Sequence, residues 1–127
     1  LLPTGNQTIL VVEDEMPVRG IIRSILQRLK YTVLEASNGS EALQLLDTPD
    51  GKNVDLLMSD IVMPEMGGKE LVKRLVDSRP NLRVIMISGY PITPSEELPP
   101  GTQFLAKPFT PKALAEAVHE AFTFHAA

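Results

Sequence analysis

Val54-Asp55-Leu56-Leu57-Met58-Ser59-Asp60 is an apolar run that stops on a carboxylate. Three more runs share that grammar. Thr8-Ile9-Leu10-Val11-Val12 stops on Glu13-Asp14, Arg83-Val84-Ile85-Met86-Ile87 on Ser88, and Gln103-Phe104-Leu105-Ala106 on Lys107. The segments between them are amphipathic, so the alternation describes a parallel α/β sheet covered by helices on both faces. In such an open sheet the carboxyl ends of the strands open into one crevice, where ligands bind. Three carboxylates, a hydroxyl and a lysine at that edge make a hard-cation site with a nucleophile and a cation to hold an anion.

The clearest helix opens at Pro17, a residue suited to a first helical turn. Val18, Ile21, Ile22, Ile25, Leu26 and Leu29 follow at helical spacing, and Arg19, Arg23, Gln27 and Lys30 lie opposite. That basic stripe reads as a solvated face, with docking of a helical partner as its functional alternative. Tyr31 to Ala36 reads as a strand and Asn38-Gly39 as a turn. A short helix over Ser40 to Asp47 turns Ala42, Leu43, Leu45 and Leu46 inward, and Pro49-Asp50-Gly51 turns the chain again. Gly68 to Ser78 reads as a helix with Leu71, Val72, Leu75 and Val76 inward. Thr110 caps a last helix with Pro111 at its first position and Leu114, Ala117, Val118 and Ala121 inward. The interval from Tyr90 to Gly101 breaks the rhythm with Pro91, Pro94, Pro99 and Pro100. A helix interior loses roughly 3 kcal/mol per proline, so the crossover helix there is expected to be shortened or absent.

At 127 residues the chain suits one domain, with residues 1–7 as a linker, 8–124 as the domain and 125–127 as a tail. With no cysteine, disulfides, thiolate metal sites and thiol catalysis are excluded. The apolar runs are too short to span a membrane, and the N-terminal residues lack the pattern of a signal peptide. A cytoplasmic domain without membrane contact is expected. The net charge of −4 argues against binding nucleic acid. No glycine pattern of a phosphate loop or dinucleotide fold is present.

Four pieces now stand in order: Glu13-Asp14, Asp60-Ile61-Val62-Met63-Pro64-Glu65-Met66-Gly67-Gly68, Ser88-Gly89 and Lys107-Pro108-Phe109. Together they resemble the receiver domain of two-component response regulators over nearly the whole chain. The resemblance implies a flavodoxin-like, doubly wound, five-stranded parallel sheet of order 2-1-3-4-5. It implies that Asp60 is phosphorylated, with Mg2+ (or Mn2+ in its place) held by Asp14, Asp60, the carbonyl of Val62 and, through water, Glu13. Lys107 would pair with Asp60 and then with the phosphoryl group, across a cis Lys107-Pro108 bond. Ser88 would swing toward the phosphoryl group, and Phe104 stands where many receivers carry a switch tyrosine. Val62 and Tyr90 would flank the hydrolytic water and slow self-dephosphorylation.

The chain departs from the commonest pattern at Glu13 for aspartate, Ser88 for threonine, Phe104 for tyrosine and the weakened crossover helix. The expected function is to take a phosphoryl group from a phosphohistidine onto Asp60 and relay the signal. The expected partners are a histidine kinase or a histidine phosphotransfer protein. The start at Leu1 and the loop sequences favour the receiver of a hybrid histidine kinase over a stand-alone regulator. A monomer is expected, because the usual dimer face carries the weakened helix. A magnesium-dependent phosphohydrolase with an aspartate nucleophile is the enzymatic alternative. It wants an aspartate two residues after the nucleophile, where this chain has Val62.

Overall fold

The computed structural model describes residues 4–63, 66–89 and 101–123. Its strands are β1 (Thr8–Val12), β2 (Thr32–Ala36), β3 (Val54–Asp60), β4 (Arg83–Ser88) and β5 (Gln103–Ala106). Among the described residues they alternate with α1 (Met16–Arg28), α2 (Gly39–Leu46), α3 (Gly68–Leu75) and α4 (Pro111–Thr123), and a 3-10 turn, Asp50–Asn53, leads into β3. Neighbouring strands are all parallel, in the order β2-β1-β3-β4-β5. The chain winds outward from β1 to β2 and then returns to β3 on the other side. The switch point therefore falls between β1 and β3.

Strand side chains alternate between two faces, and here both faces are covered. Ile9, Val11, Leu56, Met58, Ile85 and Ile87 pack against Ile22 and Leu26 of α1 and Leu114 and Val118 of α4. Leu10, Val12, Leu57, Val84 and Met86 pack against Ala42 and Leu46 of α2 and Leu71, Val72 and Leu75 of α3. Each fully buried Leu or Ile contributes about 1.5–3 kcal/mol. That is why the central strands are apolar nearly throughout.

The helices are narrower than their sequence suggests. Ile21 is 58% exposed, one residue round the helix from buried Ile22. Leu43, Leu45 and Ala117 are only partly buried against the core. Helix α3 stops at Leu75, short of Ser78, and Val76 is 42% exposed. The chain turns there because the Arg79 N–H donates to the Leu75 carbonyl at 2.8 Å. The Arg79 guanidinium reaches the carbonyls of Gly51 (3.1 Å) and Leu46 (3.0 Å). The expected weakening of the crossover helix falls on residues 90–100, outside the described residues. At the last helix, Thr110 Oγ1 accepts the Ala113 N–H at 3.0 Å, the expected N-cap.

The four residues before β1 are tied to the domain. Gly5 N–H donates to the Leu29 carbonyl and Thr32 N–H to the Gln7 carbonyl, each at 3.0 Å. A side chain at Gly5 would run into the Tyr31 ring. Helix α1 ends in a Schellman arrangement, with Tyr31 N–H on the Leu26 carbonyl and Lys30 N–H on the Gln27 carbonyl. The residue that must turn left-handed is Lys30, at φ 77°. A non-glycine residue there costs about 1–2 kcal/mol, partly offset by glycine's greater freedom when unfolded. Lys30→Gly should therefore raise stability by about 0.5–1 kcal/mol in denaturant melts; an unchanged or lower midpoint would contradict this account of the turn.

Candidate functional site

The sheet ladder continues one residue beyond the strands and fixes where each loop begins. Glu13 N–H donates to the Ala36 carbonyl at 3.1 Å, Ile61 N–H to Ile87 at 3.1 Å, and Lys107 N–H to Ser88 at 2.8 Å. Glu13, Asp60, Ser88 and Lys107 thus leave the sheet along one edge. The loop after Asp60 then folds back tightly, with Gly68 N–H on the Ile61 carbonyl at 3.0 Å. A Cβ at Gly68 would sit 2.5 Å from the Asp60 carbonyl oxygen, so no larger residue fits this approach.

Lys107 joins the two sides of the switch point. Its ammonium donates to Glu13 Oε1 at 2.7 Å and to Asp60 Oδ2 at 2.9 Å. Glu13 Oε2 accepts the Glu15 N–H at 3.2 Å. Both oxygens of Glu13 are therefore engaged by the protein, and its residue is fully buried. Asp60 is 8% exposed, whereas Asp14 lies open to solvent. One oxygen from each of Glu13, Asp14 and Asp60 lies within 4.8 Å of the others. Three hard oxygen donors lie together and Lys107 pairs with two of them, so the donor set fits a divalent hard cation.

The electrostatics follow from burial and sharing. Burial pushes the Glu13 carboxyl above its usual range; Lys107 and the Glu15 N–H oppose the rise, and Asp14 and Asp60 add to it. For Lys107 burial pulls downward, but Glu13 and Asp60 outweigh it and hold the ammonium above its usual value.

Of the other expected site residues, Ser88 is buried at the end of β4. Val62 is 68% exposed beside the acidic cluster's loop, and Phe104 is 44% exposed on β5, in register with Met86. The Lys107-Pro108 bond is cis. Tyr90 lies outside the described residues. One contributor, Arg19, was not singled out by the sequence. Arg19 departs from the expected solvated stripe: its guanidinium donates to the Glu13 carbonyl at 2.8 Å and pairs with Glu35 at 3.4 Å. Its position in the first turn after the acidic pair was the available signal.

The raised Glu13 value has a measurable consequence. The protonated form is favoured by the fold, so its stabilisation is complete below the ordinary value of 4.5 and is lost as pH rises through the raised one. At neutral pH the ionised, buried carboxylate costs stability. In metal-free buffer Glu13→Gln should unfold at a higher temperature than the unaltered protein, and the gain should shrink as the buffer is acidified. A gain that grows toward acid would reverse the sign.

The sequence model of the response regulator receiver domain matches residues 9–119. Sensor kinase CckA of Brucella abortus (strain 2308) is 43% identical over 121 residues, covering 92% of this chain and 13% of that protein. The response regulator receiver protein CpdR of the same strain is 31% identical over 115 residues, covering 88% of this chain and 93% of CpdR. The crystal structure of the receiver domain from hybrid histidine kinase CckA matches with a TM-score of 0.71 at 36% identity, covering 90% of this chain and 97% of that one. The parallel strand order agrees with these likenesses, and the chain belongs to the response regulator receiver domain family.

Proposed function

We propose that this receiver takes a phosphoryl group from a phosphohistidine onto Asp60 in a Mg2+-dependent reaction and relays the signal. The observation that carries the reading is the Asp60 carboxylate, held at 2.9 Å by Lys107 within a cluster of three acidic side chains. An Asp60 oxygen would attack phosphorus, forming an O–P bond as the N–P bond breaks; the departing imidazole nitrogen keeps the bonding pair. A bound Mg2+ supplies charge neutralisation between the carboxylate and the incoming phosphoryl oxygens. Asp14, Asp60 and the Val62 carbonyl would hold it directly, and Glu13 through water; Mn2+ would serve in its place.

The remaining residues position and stabilise. Lys107 would turn one hydrogen bond from Asp60 to a phosphoryl oxygen, and Ser88 would donate its hydroxyl to another. Phe104 would change rotamer as Ser88 moves. The exposed Val62 side chain offers the hydrolytic water no hydrogen bond, which favours a long-lived acyl phosphate.

Receiver domains work with histidine kinases or histidine phosphotransfer proteins, and the relatives include a sensor kinase. The higher identity to CckA supports a receiver within a hybrid histidine kinase. Coverage of nearly all of CpdR supports a stand-alone regulator as the second reading. Among the described residues no helix is long and apolar enough to cross a membrane. We take the domain as a cytoplasmic monomer that does not bind nucleic acid. A phosphohydrolase is disfavoured by Val62 in place of a second aspartate.

Incubation with acetyl phosphate and Mg2+ should add one phosphoryl group by intact mass. Asp60→Asn should take none, and Asp14→Ala should lose both metal binding and phosphorylation. Equal phosphorylation of Asp60→Asn would refute the assignment. Lys107→Ala should keep or improve Mg2+ affinity, since a competing cation leaves the cluster, yet its phosphorylated form should fail to change the Ser88 environment by NMR. A large loss of Mg2+ affinity would instead make Lys107 part of the metal site's scaffold.

A further inference from the structure

We propose that Arg19 is a positioning residue that aims Asp14 and thereby sets the metal affinity of the acidic cluster. The proposal rests on the reading of that cluster as a Mg2+ site. Asp14 is exposed, so packing does little to orient it. Its direction is set by the peptide linking it to Glu13. Glu13 is gripped on both sides: its N–H, in the preceding peptide, donates to the Ala36 carbonyl, and its carbonyl, in the peptide that leads to Asp14, accepts from Arg19 at 2.8 Å. Fixing the carbonyl fixes the peptide plane, and with it the backbone from which the Asp14 side chain departs.

Arg19 is itself held. Its side chain is only 16% exposed, and Glu35 of β2 pairs with its Nε at 3.4 Å. Glu35 also pairs with Arg23 at 3.2 Å, one helical turn further along α1 from the acidic loop. Val11 lies in register with Glu35, so the anchor stands on the strand beside the loop it supports. Groups that orient a metal ligand commonly change affinity by about 10–100-fold when removed. Coulomb forces alone predict the opposite sign. A cation beside three carboxylates repels Mg2+, so deleting it without loss of orientation would tighten binding.

Titration of the full chain with Mg2+ by calorimetry separates these effects. Arg19→Ala and Arg19→Lys should each weaken binding, the former by about tenfold. Lysine keeps the charge but not the planar fork that bridges a carbonyl and a carboxylate. Glu35→Gln should weaken binding in the same direction by a smaller factor, and Arg23→Ala should leave it unchanged. In acetyl phosphate assays the half-saturating Mg2+ concentration should rise by the same factor while the plateau rate stays near that of the unaltered protein. If Arg19→Ala fails to fold, Arg19→Lys and Glu35→Gln decide the matter. Equal or tighter binding by the Arg19 variants would overturn this role alone. No Mg2+ binding by the unaltered protein would overturn the site reading, and this role with it.

Discussion

A buried carboxylate beside two others is tenable only with a cation among them, and Lys107 is that cation. Its bonds of 2.7 and 2.9 Å tie a residue after β1 to the last residue of β3, from a lysine just past β5. The parallel order brings those three chain ends to the same edge, and the backbone ladder from Lys107 to Ser88 fixes the height of the lysine. Removing the lysine would be costly because it would leave two carboxylates, one of them fully buried, without a counter-charge. The surplus of negative charge then makes the cluster an attractive place for a divalent ion.

Glutamate in place of the commoner aspartate suits this arrangement. Its longer side chain sends one oxygen to Lys107 and the other to the Glu15 N–H just ahead of α1. Helix α1 has no side-chain cap from Glu15, so the Glu13 carboxylate meets a donor near that open end. Asp14, with neither of those duties, stays exposed. The two acidic neighbours therefore occupy different environments although they are adjacent in sequence.

The strands were legible because both sheet faces are covered, which makes each strand a short apolar run with a polar stop; their order followed from the family resemblance. Helix widths were less legible. Periodicity alone assigned Ile21 and Val76 to apolar faces, but α1 buries a narrower arc and α3 ends at Leu75. The strand-end residues were readable from their positions, since each strand delivers its last residue to the same edge. Arg19 was not singled out, because Arg19, Arg23 and Lys30 share a helix face; its place in the first turn after the acidic pair was a faint signal, and its bond to the Glu13 carbonyl is what sets it apart.

The polar ends of β3 also bear on how the chain finds its alignment. A strand that is apolar on both faces gains little information from alternation, since a slip by one residue exchanges one greasy side chain for another. Here the slip is opposed at both ends. Asp55 is exposed at the start of β3 and accepts the Thr8 N–H at 2.9 Å, while Asp60 closes the strand against Lys107. Sliding one way would drag Asp55 between the helical layers; sliding the other would draw Asp60 inward and away from its lysine. An unpaired buried charge costs several kcal/mol. The two aspartates act as end stops, so the chemical group at the crevice also keeps the central strand from settling one notch out of place.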